Sequence, residues 1–212
     1  TKKRWTRSYA RIRREEKSVS ELIAWGDESV QTQGNVIPTY YMGACICGLE
    51  ERATRNQLLS ATKRKVSKLH WRDMTLSEKR KSIPIIEMLS LPHIVIAATM
   101  PLDGTVTFER ARHKCLELLL PTLENEYGVS RLVLESREAS QDDRELKLVR
   151  GLRSRRFINQ LRVDFAPGSS DARLWIADQA LGAIGDAQRG RQDFSSFLKT
   201  LDMRELDLRH LV

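Results

Sequence analysis

The stretch Leu22-Ile23-Ala24-Trp25-Gly26-Asp27-Glu28-Ser29 is an apolar run that ends on two acids and a serine. Read as a strand, it alternates between faces, so Ile23, Trp25 and Asp27 share one side while Ala24, Gly26 and Glu28 share the other. Whichever side is packed, one carboxylate arrives at the edge of a core. A carboxylate there needs a hydrogen-bond network, a basic partner or a metal ion to offset its desolvation. A metal ion is the expectation taken here, because two later acids stand in comparable positions.

A chain of 212 residues supports one domain with a substantial core. No apolar run approaches the roughly 20 residues that cross a bilayer. The basic N-terminus lacks an apolar signal-type stretch, which reads as cytoplasmic. Lysine and arginine total 36 against 28 acids, a net charge of +8. Such an excess suits a polyanionic partner, RNA or DNA, through long-range attraction and counterion release. It also suits any basic protein. Three cysteines, Cys45, Cys47 and Cys115, are too few for a disulfide scaffold and lack zinc-site spacing, so core packing is their expected role.

Along the chain, residues 1–20 form a basic extension in which Trp5 and Tyr9 interleave with cations, suited to phosphates and bases or to plain solvation. Gly34 and Pro38 mark a turn, and Tyr40 to Gly48 reads as a buried second strand antiparallel to the first. Glu50 to Thr62 has helical spacing. The basic stretch Lys63 to Lys81 contains Lys65, Lys68 and Arg72 and encloses Leu69-His70-Trp71-Arg72-Asp73. His70 is there either a proton carrier or weak metal ligand, or a hydrogen-bonded structural residue beside Trp71.

Leu76 to Leu89 reads as a helix that Pro84 interrupts or restarts, His93 to Thr99 as a strand, and Phe108 to Tyr127 as a long helix that Pro121 kinks or divides. Arg131 to Glu135 is a short strand closing on an acid, with Glu135 aimed at the same cation as Asp27 or paired with Arg137. Asp142 to Leu161 is a charged helix whose Arg150, Arg153, Arg155 and Arg156 form a ridge for phosphate contact or for solvent. After a short strand at 163–166, the helix Leu174 to Gly185 carries Asp178 on or beside its buried stripe, where a charge needs a partner. Gly182 and Gly185 in that helix imply close backbone packing. Residues 191–212 read as an amphipathic helical tail that covers the core or forms a homodimer or larger assembly.

Gly26-Asp27-Glu28-Ser29, Leu69-His70-Trp71, Leu134-Glu135-Ser136 and Leu174-Trp175-Ile176-Ala177-Asp178 together resemble the domain-of-unknown-function 3800 family, across about residues 21–190. The resemblance implies an α/β, ribonuclease-H-like mixed sheet flanked by helices and a divalent-metal nuclease site, with an occasional association with mobile elements or anti-phage defence. It implies Asp27, Glu135 and Asp178 as catalytic metal ligands. A ribonuclease-H site has a further acid on its first helix. This chain offers no clean counterpart: Lys68 stands where a carboxylate would help, and Glu28 is the substitute. Hard carboxylate oxygens favour Mg2+ or Mn2+. The expected chemistry is phosphodiester hydrolysis, with His70 as an auxiliary proton carrier and Arg150, Arg153, Arg155, Arg156, Lys65 and Arg72 on the nucleic acid. Two rivals are a non-catalytic nucleic-acid-binding or assembly subunit and a transposase-like strand-transfer enzyme.

Overall fold

The computed structural model describes residues 21–32, 37–191 and 194–210. The basic extension at 1–20 and the turn at Gly34 lie outside them. The chain forms one six-stranded mixed sheet. Its strands are β1 (Ile23–Gln31), β2 (Thr39–Ile46), β3 (His93–Thr99), β4 (Arg131–Glu135), β5 (Arg162–Ala166) and β6 (Asp202–Asp207), in the order β5-β4-β1-β2-β3-β6. β1, β2 and β3 run antiparallel, while β4 is parallel to β1, β5 to β4, and β6 to β3. This is an α/β mixed sheet flanked by helices, as the motifs imply.

Alternation along the strands divides the core in two. Ala24, Met42, Ile94, Ile96, Leu132 and Leu134 pack under α3 (Phe108–Asn125) and α4 (Ala139–Ser154). Trp25, Tyr41, Cys45, Val95 and Val133 pack on the opposite face, under α1 (Glu51–Leu59), α2 (Leu76–Leu89), α5 (Arg173–Gln188) and the short α6 (Ser195–Leu198). α5 is buried nearly all round, because α1, α2 and a 3-10 turn at Trp71–Asp73 cover its outer side. The three cysteines are free and buried in these cores.

Local signals fix the helix starts. The Thr75 hydroxyl accepts from Glu78 N–H while the Glu78 carboxylate accepts from Thr75 N–H, a reciprocal box that begins α2. Thr107 caps α3 through Arg110 N–H. Pro84 and Pro121 lie inside continuous helices, so the interruption expected at Pro84 and the division weighed at Pro121 do not occur. Packing of α3 on the sheet and of α2 on α1 and α5 outweighs one missing backbone hydrogen bond in each.

The C-terminal segment departs from the expected amphipathic helix. Among its described residues only Ser195–Leu198 is helical, and Asp202–Asp207 is an edge strand on β3. Its exposure alternates residue by residue, with Arg204 and Leu206 turned inward and Met203 and Glu205 outward. That is a two-residue period, and the helical surface expected for self-association is therefore absent among the described residues. No helix among them is long and apolar enough to cross a membrane.

Candidate functional site

Parallel pairing of β1 with β4 sets Gly26 opposite Leu134. One residue further on, the same register brings Asp27 beside Glu135. Both follow residues of the α5-side core, Trp25 and Val133, so alternation points both carboxylates at α5. Close approach requires Gly26, where an added Cβ would lie 2.7 Å from Leu134 Cδ2. The loop after β5 closes over Glu135 at Gly168, whose Cβ would fall 2.5 Å from Glu135 Oε1. Asp178 comes from α5 onto the same face and is 9% exposed.

The three acids share one electrostatic site. Asp27 is held well above the usual carboxylate range, first by burial, then by the charges of Asp178 and Glu135, against the pull of Lys68 and His70. Its Oδ1 accepts from Glu28 N–H at 2.8 Å, and no cation pairs with it among the described residues. The other two acids are engaged by one segment. Lys68 Nζ lies 2.5 Å from Glu135 Oε2. Trp71 N–H donates to Asp178 Oδ2 at 2.7 Å, and His70 Nδ1 lies 3.1 Å from Asp178 Oδ1. That contact with Asp178 holds the His70 imidazole above its ordinary value, in opposition to its burial.

Asp27, Glu28 and Glu135 line a cleft of about 330 Å3 together with Lys68, His70, Arg72, Arg112 and Arg137. Asp178 does not reach the cleft wall. His70, in contact with its Oδ1, does. Among the described residues no three His, Cys, Asp or Glu side chains form a ready-made metal cage.

Glu28 lies on the α3 side of the sheet, hydrogen-bonded by Tyr40 and paired with Arg112. Strand alternation turns it to the other face from Asp27, yet it lines the same cleft, engaged there by Tyr40 and Arg112. The arginine ridge is also displaced. α4 starts beside Glu135 and runs away from it, which carries Arg153, Arg155 and Arg156 about 20 Å along the helix at 1.5 Å per residue. There Arg153 donates to Leu161 O and Arg155 to Gly151 O. These two guanidinium groups satisfy carbonyls at and beyond a helix end, a job that local spacing does not distinguish from phosphate binding. Arg150 and Arg156 are exposed on the same distant part of the fold. Of the expected nucleic-acid contacts, Arg72 lines the cleft and Lys65 is exposed on the segment that leads into it.

Sequence reasoning missed the ion network beneath the cleft. Arg112 is 3% exposed and its Nε and Nη2 reach Glu145 Oε1 and Oε2 at 2.7 and 3.1 Å. Arg137, expected as a partner for Glu135, instead bridges Glu145 and Glu109, both at 2.5 Å. A signal was available: Arg112 precedes Leu116 and Leu119 by four and seven residues, and Glu145 so precedes Val149 and Leu152. Each is a charge on an apolar stripe, the pattern that singled out Asp178.

Trp71 fixes the position of Asp178 and is itself seated by a glycine. Its ring packs on Gly182, where an added Cβ would lie 2.1 Å from Cγ, and its Nε1 donates to Asp186 Oδ2 at 3.1 Å. In Gly182→Ala the helix gains up to about 1 kcal/mol of propensity and loses about 3 kcal/mol to overpacking. A net loss of about 2 kcal/mol in urea denaturation is expected. Wild-type or higher stability would contradict the packing described.

No family model and no curated protein matches the sequence. Among solved structures, the chain is similar to one in the complex of PCNA with ribonuclease HII from Archaeoglobus fulgidus. The identity is 16% over 80% of this chain and 73% of that one, with a TM-score of 0.46. It is also similar to a mutant form of Bst-RNase HIII, at 11% identity over 81% of this chain and a TM-score of 0.48. The chain spans 55% of that protein.

Proposed function

We propose that the chain is a divalent-metal-dependent nuclease that hydrolyses phosphodiester bonds of RNA or DNA, as its motif resemblance to the domain-of-unknown-function 3800 family implies. The observation that carries this reading is the pairing of Asp27 with Glu135 on one face of adjacent parallel strands, with Asp178 adding to the charge that Asp27 feels. An acid placed so unfavourably, in a cleft and without a cation of its own, is a functional-site feature.

The donor set fits Mg2+ or Mn2+. Mg2+ takes one or two carboxylates and fills its remaining positions with water and phosphate oxygens, so a closed cage of three acids is not required. Asp27 and Glu135 would hold the ion. When bound, it supplies a water of lowered pKa and offsets negative charge on the scissile phosphate. Asp178 orients His70 through Nδ1, leaving the other ring nitrogen to give a proton to the departing oxygen. Arg72, on the cleft wall, holds the phosphate backbone. The surplus of +8 favours a polyanion at the encounter stage.

Labelled single- and double-stranded RNA and DNA, and an RNA–DNA hybrid, incubated with Mg2+, Mn2+ or EDTA test this. Cleavage that requires the metal and disappears in Asp27→Asn supports the enzyme. A second reading draws on the Lys68–Glu135 and His70–Asp178 contacts: a non-catalytic nucleic-acid-binding subunit whose acids are internally satisfied. It predicts salt-sensitive binding of these substrates with no turnover under any metal condition.

A further inference from the structure

We infer that the far end of α4 is a second nucleic-acid surface, at which Phe157 stacks on an unpaired base of a single strand while Arg150, Arg155 and Arg156 hold its phosphates. It lies about 20 Å along the helix from the cleft. Binding there needs no cleavage, so the surface is independent of the chemistry proposed for the cleft.

Charge sets this end of the helix apart. Between Leu146 and Leu161 the chain has five cations, Lys147, Arg150, Arg153, Arg155 and Arg156, and no acid. All five are exposed. Other arginines of the fold are neutralised: Arg131 is paired with Asp164, Arg137 with Glu109, Arg162 with Glu21 and Arg204 with Glu126. The five form no ion pair among the described residues. The bonds from Arg153 to Leu161 O and from Arg155 to Gly151 O use one N–H each. The other donors of these guanidinium groups, and their charge, are left for phosphate.

An aromatic ring stands among these cations on a fixed backbone. Phe157 is 52% exposed, and the Arg155 guanidinium lies 5.2 Å from its ring centre. Phe157 N–H donates to Leu152 O at 3.0 Å, and Asn125 Nδ2 donates to Phe157 O at 3.3 Å. The next residue, Ile158, is fully buried, and the Glu124 carboxylate accepts from the N–H groups of Asn159, Gln160 and Leu161. A ring held this way loses little freedom when a base stacks on it. Stacking requires a base freed from its own pair, which selects single strands over duplex. The turn that presents the ring is costly as well. Arg156 has φ 61°, in the left-handed region that favours glycine after a helix. Glycine would relieve the backbone there but would supply no charge beside Phe157.

Fluorescence anisotropy of a labelled single-stranded oligonucleotide and of its duplex, titrated with the full chain in EDTA, tests the surface without reading cleavage. Phe157→Ala is expected to weaken single-strand binding about tenfold and duplex binding far less, while Phe157→Tyr binds as wild type. Where circular dichroism shows Phe157→Ala unfolded, Phe157→Leu takes its place. Arg150→Gln and Arg156→Gly are each expected to reduce the slope of log K against log salt by about 0.7. Arg156→Gly does so with an equal or higher urea midpoint, the opposite of what a structural role for this arginine would give. Wild-type affinity in the Phe157 variant, equal losses on single strand and duplex, or unchanged salt slopes in both arginine variants would overturn the surface and leave the nuclease reading intact. Self-association of wild type that Phe157→Ala abolishes, with oligonucleotide binding unchanged, would overturn it in favour of a second copy. No binding of either oligonucleotide by wild type would overturn it too.

Discussion

Asp27→Asn is expected to lower metal-dependent cleavage by roughly 10³-fold or more, about 4 kcal/mol of transition-state stabilisation, and to raise the melting temperature in metal-free buffer at pH 8. Both effects come from the position of this carboxylate. It is the acid of the site with no cation paired to it among the described residues, and burial with the charges of Asp178 and Glu135 outweighs the pull of Lys68 and His70 and lifts its pKa well above 3.8. In the folded chain it keeps its proton at pH values where the unfolded chain has lost it. The native state therefore binds more protons than the unfolded state across that window, and stability falls as pH rises from 3.8 through the raised value. Asparagine cannot ionise and escapes the loss. At about 2–4 °C for each kcal/mol in a chain of this size, the gain is readable by differential scanning calorimetry. Wild-type cleavage with contaminating nuclease excluded, or a lower melting temperature at pH 8, would contradict the placement of Asp27.

Arg112→Met is expected to cost about 3–5 kcal/mol of folding stability, because it leaves a fully buried carboxylate without its bidentate partner. Glu145 is 0% exposed, and Arg112 covers both of its oxygens while also pairing with Glu28. Methionine fills the stem volume but provides no charge. Arg137 alone remains on Glu145, and that guanidinium is shared with Glu109. Glu28 is next to Asp27 on β1, so the same substitution loosens the strand end that presents the site. The double variant Arg112→Met with Glu145→Met is expected to recover most of the loss, since an apolar pair of similar volume has no charge to desolvate. Urea denaturation of the four members of this cycle decides the matter. A single variant within about 1 kcal/mol of wild type would show that the pair is not isolated from water.

How much of this was legible in the sequence depended on whether a signal was local. Trp25-Gly26-Asp27 and Val133-Leu134-Glu135 show their strands and their terminal acids in consecutive residues, and the antiparallel pairing of β1 with β2 follows from a short connection. Asp178 is visible because a charge on the Leu174–Leu181 stripe is out of place. The direction in which α4 leaves the site is a tertiary property, so the arginine ridge could be read near the cleft when the fold puts it at the far end. β6 was hidden for another reason. Six residues, four of them charged, read as part of a helical tail until pairing with β3 turns Leu206 into the core. Lys68 was visible only as a lysine in the place of an expected acid, and its contact with Glu135 required the closure of β4 onto a segment 67 residues away.

Anomalous diffraction from crystals grown with Mn2+ tests most directly that the acids of β1 and β4 form a cation site. The account predicts manganese at about 2.1 Å from an oxygen of Asp27 and an oxygen of Glu135. A cleft without manganese at saturating concentration, or an ion bound away from Asp27, would contradict it.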